Sequence, residues 1–181
     1  MNKSFLSTYK THLLLSLTVS IVLIAIKVAK DPLTIAFIIV GSLLGTFVLD
    51  LDYFIHAYFL EPTSDFSINV RAYIQHKDFI GVFRYINLHK DDVKEKVLHS
   101  VLFQIVWVGV TIFGVSASES YLVKAIALST YINSLYRFAE YYVAGRYEEW
   151  FWSLKQKPTK RNALIYTGIL IAIFIYTLTL F

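Results

Sequence analysis

Asp50 and Asp52 close one apolar run of this sequence, and two histidines, His12 and His99, stand at the polar edges of two others. Two carboxylates and two imidazoles suit a hard-to-borderline divalent cation, zinc, manganese or iron. Such an ion lowers the pKa of its bound water and polarises a phosphoryl or acyl oxygen. Glu95 and His56 are the candidate general bases beside it, and Arg137 is a candidate clamp for an anionic substrate. One by one, these residues have plainer accounts. The aspartates also suit a helix end in headgroup water, His12, His56 and His99 suit interfacial histidines, and Glu95 suits a helix-face neighbour of His99. The case for a site rests on several separate segments bringing such groups to the same depth.

The segments that would carry them are membrane helices. The chain has 181 residues, 56% hydrophobic and only 17% charged, with a mean hydropathy of +0.56, which argues against a soluble globule. A spanning helix needs about 20 mostly apolar residues. Residues 11–26, 33–49, 97–118 and 162–181 approach that length with few charges, and 121–142 is a weaker fifth, interrupted by Lys124, Asn133, Arg137 and Glu140. Lys3 and Lys10 ahead of the first run suggest a signal peptide, but Lys27 fills the small-residue position before a cleavage at Ala29, so the first helix reads as uncleaved. The expected fold is an all-α polytopic bundle forming a single domain.

Two other stretches suit the membrane surface. Residues 61–96 interleave apolar and charged positions as short amphipathic helices do, with a break near Gln75 to Asp78. Residues 141–161 carry Tyr142, Tyr147, Trp150, Phe151 and Trp152, the composition of an aromatic belt. Asp92 and Glu95 are spaced as a capping box, which would start the third long helix ahead of the bilayer. Gly41 and Gly45, four apart in an apolar helix, predict close helix packing.

Alternating five helices across a membrane sorts the 17 Lys and Arg unevenly, because only Lys27, Lys30 and Lys124 fall on one side. The positive-inside rule then makes the other side, with the N-terminus, cytoplasmic. His12, Asp50, Asp52, His99, Asn133, Arg137 and Glu140 all gather toward that face. A net charge of +4 suits anionic lipid as the partner better than nucleic acid, and the absence of cysteine leaves only His, Asp and Glu to hold a metal.

Three runs, Thr11-His12-Leu13-Leu14, Gly41 through Leu49-Asp50-Leu51-Asp52, and Leu98-His99-Ser100, resemble the membrane-bound metal-dependent hydrolase family typified by LexA-regulated bacterial inner-membrane proteins. That family has an early His, a Pro-Asp-x-Asp-His motif, a His-Arg-x-x-Thr-His-Ser motif and a late His-x-x-x-Asp motif, taken as metal ligands. The resemblance implies His12, Asp50, Asp52 and His99 as ligands of zinc or manganese, an inner-membrane location, and phosphoester hydrolysis by analogy with zinc-dependent phospholipase C. Leu49 replaces the Pro, Tyr53 replaces the following His, Lys94 and Glu95 stand in the third motif, and Ser129 and Asn133 occupy degenerate ligand positions in the late one.

Three functions follow. A hydrolase acting on a phosphoester or lipid headgroup stands beside a non-catalytic scaffold or pseudoenzyme that has kept the fold. A small transporter fits least, because the charges sit at helix ends rather than mid-span. Reporter fusions after Lys90 and after Phe181 are expected to report opposite sides of the membrane; the same side for both would overturn the five-helix topology.

Overall fold

The computed structural model describes residues 5–90, 92–93 and 96–181, so Glu95 lies outside the described residues. These residues form helices and connections, with no strand among them. Helix α1 spans Phe5–Lys27 and α2 spans Pro32–Phe47. Pro32 starts α2 where a missing N–H costs nothing, and the Asp31 carboxylate caps it by accepting from the Thr34 amide at 2.8 Å. The rod then runs on through a 3-10 turn (Val48–Asp50), α3 (Leu51–Ile55) and a π turn (His56–Leu60). Pro32–Leu60 is thus one apolar rod of 29 residues.

Helices α4 (Asp65–Gln75) and α5 (Phe79–His89) are the expected amphipathic pair. The break falls at His76–Asp78, where the Asp78 side chain caps α5 by accepting from the Gly81 amide at 2.8 Å. Their inner faces, Phe66, Val70, Val82 and Ile86, pack on Tyr53 and Ala57 of the rod, while Ile68, Phe79, Ile80 and Leu88 are exposed.

Helix α6 spans Val101–Ala117, later than the capping-box expectation. Its N-cap is Ser100, whose hydroxyl accepts from the Phe103 amide at 3.2 Å, and residues 97–99 are held in an irregular path by a carboxylate from the rod. Helix α7 (Tyr121–Val143) is followed by the single turn α8 (Tyr147–Trp150) and by α9 (Lys160–Thr179). Gly145, at φ 74°, supplies the left-handed residue that ends α7, with the Arg146 amide donating back to the Tyr141 carbonyl at 2.9 Å.

Tyr9–Lys27, Pro32–Leu60 and Lys160–Thr179 are long and apolar enough to cross a membrane, and α6 is a shorter apolar helix. The arrangement fits a helical membrane bundle. Helix α7 is as long as α1 but more polar, because Ser129, Thr130, Asn133 and Ser134 are turned inward and fully buried. It occupies the centre, packing on α1, α2, α6 and α9 around Leu23, Ile38, Val115, Leu128, Tyr131 and Leu170. At one end Lys27 and Lys124 both lie over the Tyr121 ring, at 5.3 and 5.9 Å.

The aromatic stretch departs from a lipid-facing belt. Trp150 is fully buried against Phe138, and its indole N–H donates to Gln104 Oε1 at 2.9 Å, an oxygen that also accepts from the Tyr166 hydroxyl at 2.8 Å. Gln104, on α6, provides the acceptor that lets the indole turn inward.

The α2–α7 contact is the tightest. A Cβ on Gly41 would lie 2.5 Å from the Leu122 carbonyl oxygen, and one on Gly45 2.7 Å from that of Ile126. The small residues let Ser129 Oγ donate to the Ser42 carbonyl at 2.6 Å and Thr130 Oγ1 to that of Gly45 at 3.1 Å. Gly45→Val is expected to destabilise the detergent-solubilised protein by about 1–3 kcal/mol, the usual cost of overpacking. Gly109→Ala, inside α6 where an added Cβ meets nothing within 4 Å, is the control expected not to lower the melting temperature.

Candidate functional site

Asp50 and Asp52 stand within the rod, at its 3-10 turn and in α3, but do different things. Asp52 is 1% exposed and accepts four hydrogen bonds. The Val97 amide donates to Oδ1 at 2.8 Å, while the amides of Leu98 and His99 donate to Oδ2 at 2.9 and 3.1 Å. The fourth donor is the His99 ring, Nδ1 lying 2.9 Å from Oδ2. Three successive amides around one carboxylate form an anion nest on the irregular path before α6.

That grip sets the tautomer of His99. With Nδ1–H given to Asp52, the lone pair is on Nε2, which makes no hydrogen bond to a described residue. The ring is buried, its edge against Trp150 at 5.8 Å and tilted toward Tyr53 at 6.2 Å. His99 precedes α6, and burial holds its pKa below the ordinary histidine value, with Asp52 opposing the shift.

Asp50 sits beside a cation instead. Its Oδ1 is 3.6 Å from Arg137 Nη2, and the Tyr9 hydroxyl bonds to the same carboxylate. Arg137 is also 3.6 Å from Glu140, one turn on along α7. Glu140 in turn lies 3.7 Å from His12 Nε2, whose Nδ1 donates to Asn133 Oδ1 at 2.9 Å. From there a polar seam runs into the bundle. The Asn133 amide donates to Ser16 Oγ at 3.0 Å, and Ser16 Oγ lies 2.6 Å from Thr46 Oγ1 and 2.8 Å from Ser129 Oγ.

His99 and Arg137 both line a half-open cavity of about 210 Å³, several times the ~30 Å³ share of one liquid water. Lys90, Lys96 and Arg146 line it too, so among the described residues the lining holds four cations and one carboxylate, Glu140, with Asp50 beside Arg137 and Glu149 beside Arg146. Tyr53 and Tyr141 complete its polar walls. Lys96 is held in place, its Nζ donating to the Lys90 carbonyl at 2.6 Å and to the Tyr141 hydroxyl at 3.3 Å and lying 5.4 Å over the Tyr53 ring. Arg146 is engaged bidentately by Glu149 at 2.7 and 2.8 Å. The cavity's chemistry is that of an anion site with a fixed imidazole in its wall.

The sequence-predicted residues are therefore brought together only in part. Asp52 with His99 makes one pair, and Asp50 with Arg137 makes another. His12 and Asn133 are joined to each other, and Ser129 lies a turn deeper on the seam. His56 faces elsewhere, its ring edge-on to Phe66 at 5.9 Å and Nε2 3.7 Å from Glu61, and it does not line the cavity. Among the described residues no three His, Asp or Glu side chains are grouped to hold a metal ion. Asp52 is filled by amides and a guanidinium stands beside Asp50 Oδ1, whereas the Nδ1–H bonds of His12 and His99 leave each Nε2 lone pair open and Asp50 Oδ2 is buried without a hydrogen-bond partner.

Lys90, Lys96, Tyr53, Tyr141 and Arg146 escaped the sequence reading as site residues. They are surface-type residues by composition, and only the return of residues 96–100 over the rod and the turn after α7 assemble them. No family model matches the chain, and no curated protein or solved structure is significantly similar to it.

Asp52→Ala leaves four donors without their acceptor. Each buried orphan costs about 1–3 kcal/mol, so a loss of about 3 kcal/mol or more is expected, read as a lower melting temperature with early proteolysis near residues 93–100. An unchanged melting temperature would show that the nest does not hold the start of α6.

Proposed function

We propose that this protein is an integral membrane hydrolase that takes a phosphate-bearing, lipid-headgroup-like substrate into the pocket at the polar end of its bundle. The observation that carries this reading is the His99 imidazole, oriented by Asp52, with Nε2 unpartnered in a cavity wall shared with four cations. Arg137 and Lys96 would bind the non-bridging phosphate oxygens, and Nε2 is the group available to act on the phosphorus centre or on its attacking water. The Lys and Arg distribution supports a cytoplasmic N-terminus and a cytoplasmic pocket. The motif resemblance supports a bacterial inner membrane as its place. The zinc or manganese implied by that resemblance would need ligands that the described residues do not group.

A second reading, a scaffold that has kept the fold without the chemistry, has its own support. Asp52 spends both oxygens on backbone amides, which is a structural duty. Phosphate release separates the two. The detergent-purified chain is expected to hydrolyse a phosphoester, and Arg137→Gln is expected to raise KM about tenfold, the loss of one charge-assisted contact of about 1.4 kcal/mol. Lys90→Gln, in the same cavity wall, should weaken substrate binding less. No release of phosphate by folded wild type would favour the scaffold.

A further inference from the structure

We propose that His99 acts as a nucleophile, its Nε2 taking the phosphoryl group of a phosphomonoester to form a covalent phosphohistidine without a metal ion. This deepens the hydrolase reading and rests on it. Three features of the site converge on the same atom.

The first is aim. A nucleophile must present a lone pair in a fixed direction, and the ring has little freedom to swing. Asp52 holds Nδ1 at 2.9 Å, and Trp150 and Tyr53 stand against the ring at 5.8 and 6.2 Å. Asp52 is therefore a positioning residue. Its charge also stabilises the cationic ring that results when Nε2 bonds to phosphorus.

The second is charge. Among the described residues the lining holds Lys90, Lys96, Arg137 and Arg146 against Glu140, with Asp50 and Glu149 beside the two arginines, a cationic wall that suits an anionic phosphate. Arg137 and Lys96 flank the cavity from α7 and from the segment before α6, so equatorial oxygens can be held from two sides while the imidazole approaches the third.

The third is the fate of the acids. Among the described residues no three His, Asp or Glu side chains group to hold a water-activating metal, and the Asp52 carboxylate against His99 is taken up by amides, while Asp50 keeps one buried oxygen, Oδ2, without a hydrogen-bond partner. Nε2 of His99 is left as the uncommitted basic atom of the His99–Asp52 pair. In the first step its lone pair forms the N–P bond as the P–O bond to the alcohol breaks, and the leaving oxygen takes a proton from solvent at the cavity mouth. In the second, water attacks phosphorus, the N–P electrons return to Nε2, orthophosphate leaves, and the proton goes back to solvent. Overall one water is consumed and one alcohol and one phosphate are formed.

The test uses the full chain in detergent micelles or nanodiscs with a chelator present. One arm offers phosphatidic acid labelled with ³²P, the other a water-soluble labelled monoester, glycerol 3-phosphate. Acid-labile, alkali-stable label on the protein is expected, together with a burst of alcohol near one equivalent and mass-spectrometric placement of the phosphoryl group on His99. Label from the first arm alone identifies a lipid headgroup as the substrate, and label from both identifies the monoester dianion itself. His99→Gln is expected to abolish the label and lower phosphate release at least about 100-fold. Placement of the group on wild-type His99 needs no variant, so the proposal stays testable if His99→Gln does not fold. Turnover without label or burst would overturn the nucleophile and leave the hydrolase reading intact. Turnover only after zinc or manganese is restored would overturn it in favour of a metal route. Phosphate binding without turnover in either arm would overturn both.

Discussion

The Asp52 carboxylate is the junction on which the polar half of the molecule depends. It joins the rod begun by α2 to a segment 45 to 47 residues away in sequence through three amides and one imidazole. A buried carboxylate is costly unless its lone pairs are taken up, and here the backbone takes them. The same bonds delay the start of α6 to Val101, put Lys96 against Tyr141 and fix the His99 tautomer. Structure and chemistry at this site have one cause, so neither can be altered alone.

The apolar half depends on α7 being polar. Inside a bilayer, apolar side chains gain little by facing each other rather than lipid, so small residues and interhelical hydrogen bonds have to hold the bundle. Helix α7 supplies both. Its Ser129 and Thr130 bond to carbonyls of α2, Asn133 and Ser129 bond to Ser16 of α1, and the glycines of α2 allow that approach. The seam ends at His12, which ties it to Glu140 and so to Arg137 at the cavity wall. Bundle packing and the cavity wall thus meet at the His12–Glu140–Arg137 contacts, 3.7 and 3.6 Å apart.

The helices, the amphipathic faces of α4 and α5, and the Gly41–Gly45 contact were legible because each follows from local periodicity or spacing. The start of α6 was not. Asp92 and Glu95 have the spacing of a cap, yet Ser100 is the cap used, because a carboxylate 45 residues earlier holds the intervening amides. Composition likewise gave Trp150 to the lipid, whereas Gln104 draws it inside. At the site, the acidic and histidine residues stood out by rarity in an apolar chain. Their division into separate pairs, and the part played by Lys90 and Lys96, depend on directions that a linear pattern does not carry.

The rod that carries Asp50 and Asp52 has a further consequence. At about 1.5 Å per residue, Asp50 lies roughly 27 Å along the axis from Pro32, close to the ~30 Å of hydrocarbon in a typical bilayer. Lipid thickness and pocket height are therefore coupled. Longer acyl chains would draw the cavity mouth below the phosphate plane unless the membrane thinned around the protein, whereas shorter chains would lift it clear and let the rod tilt. A rod of this length would gauge the thickness of the bilayer it crosses, with Asp50 near one edge of the hydrocarbon.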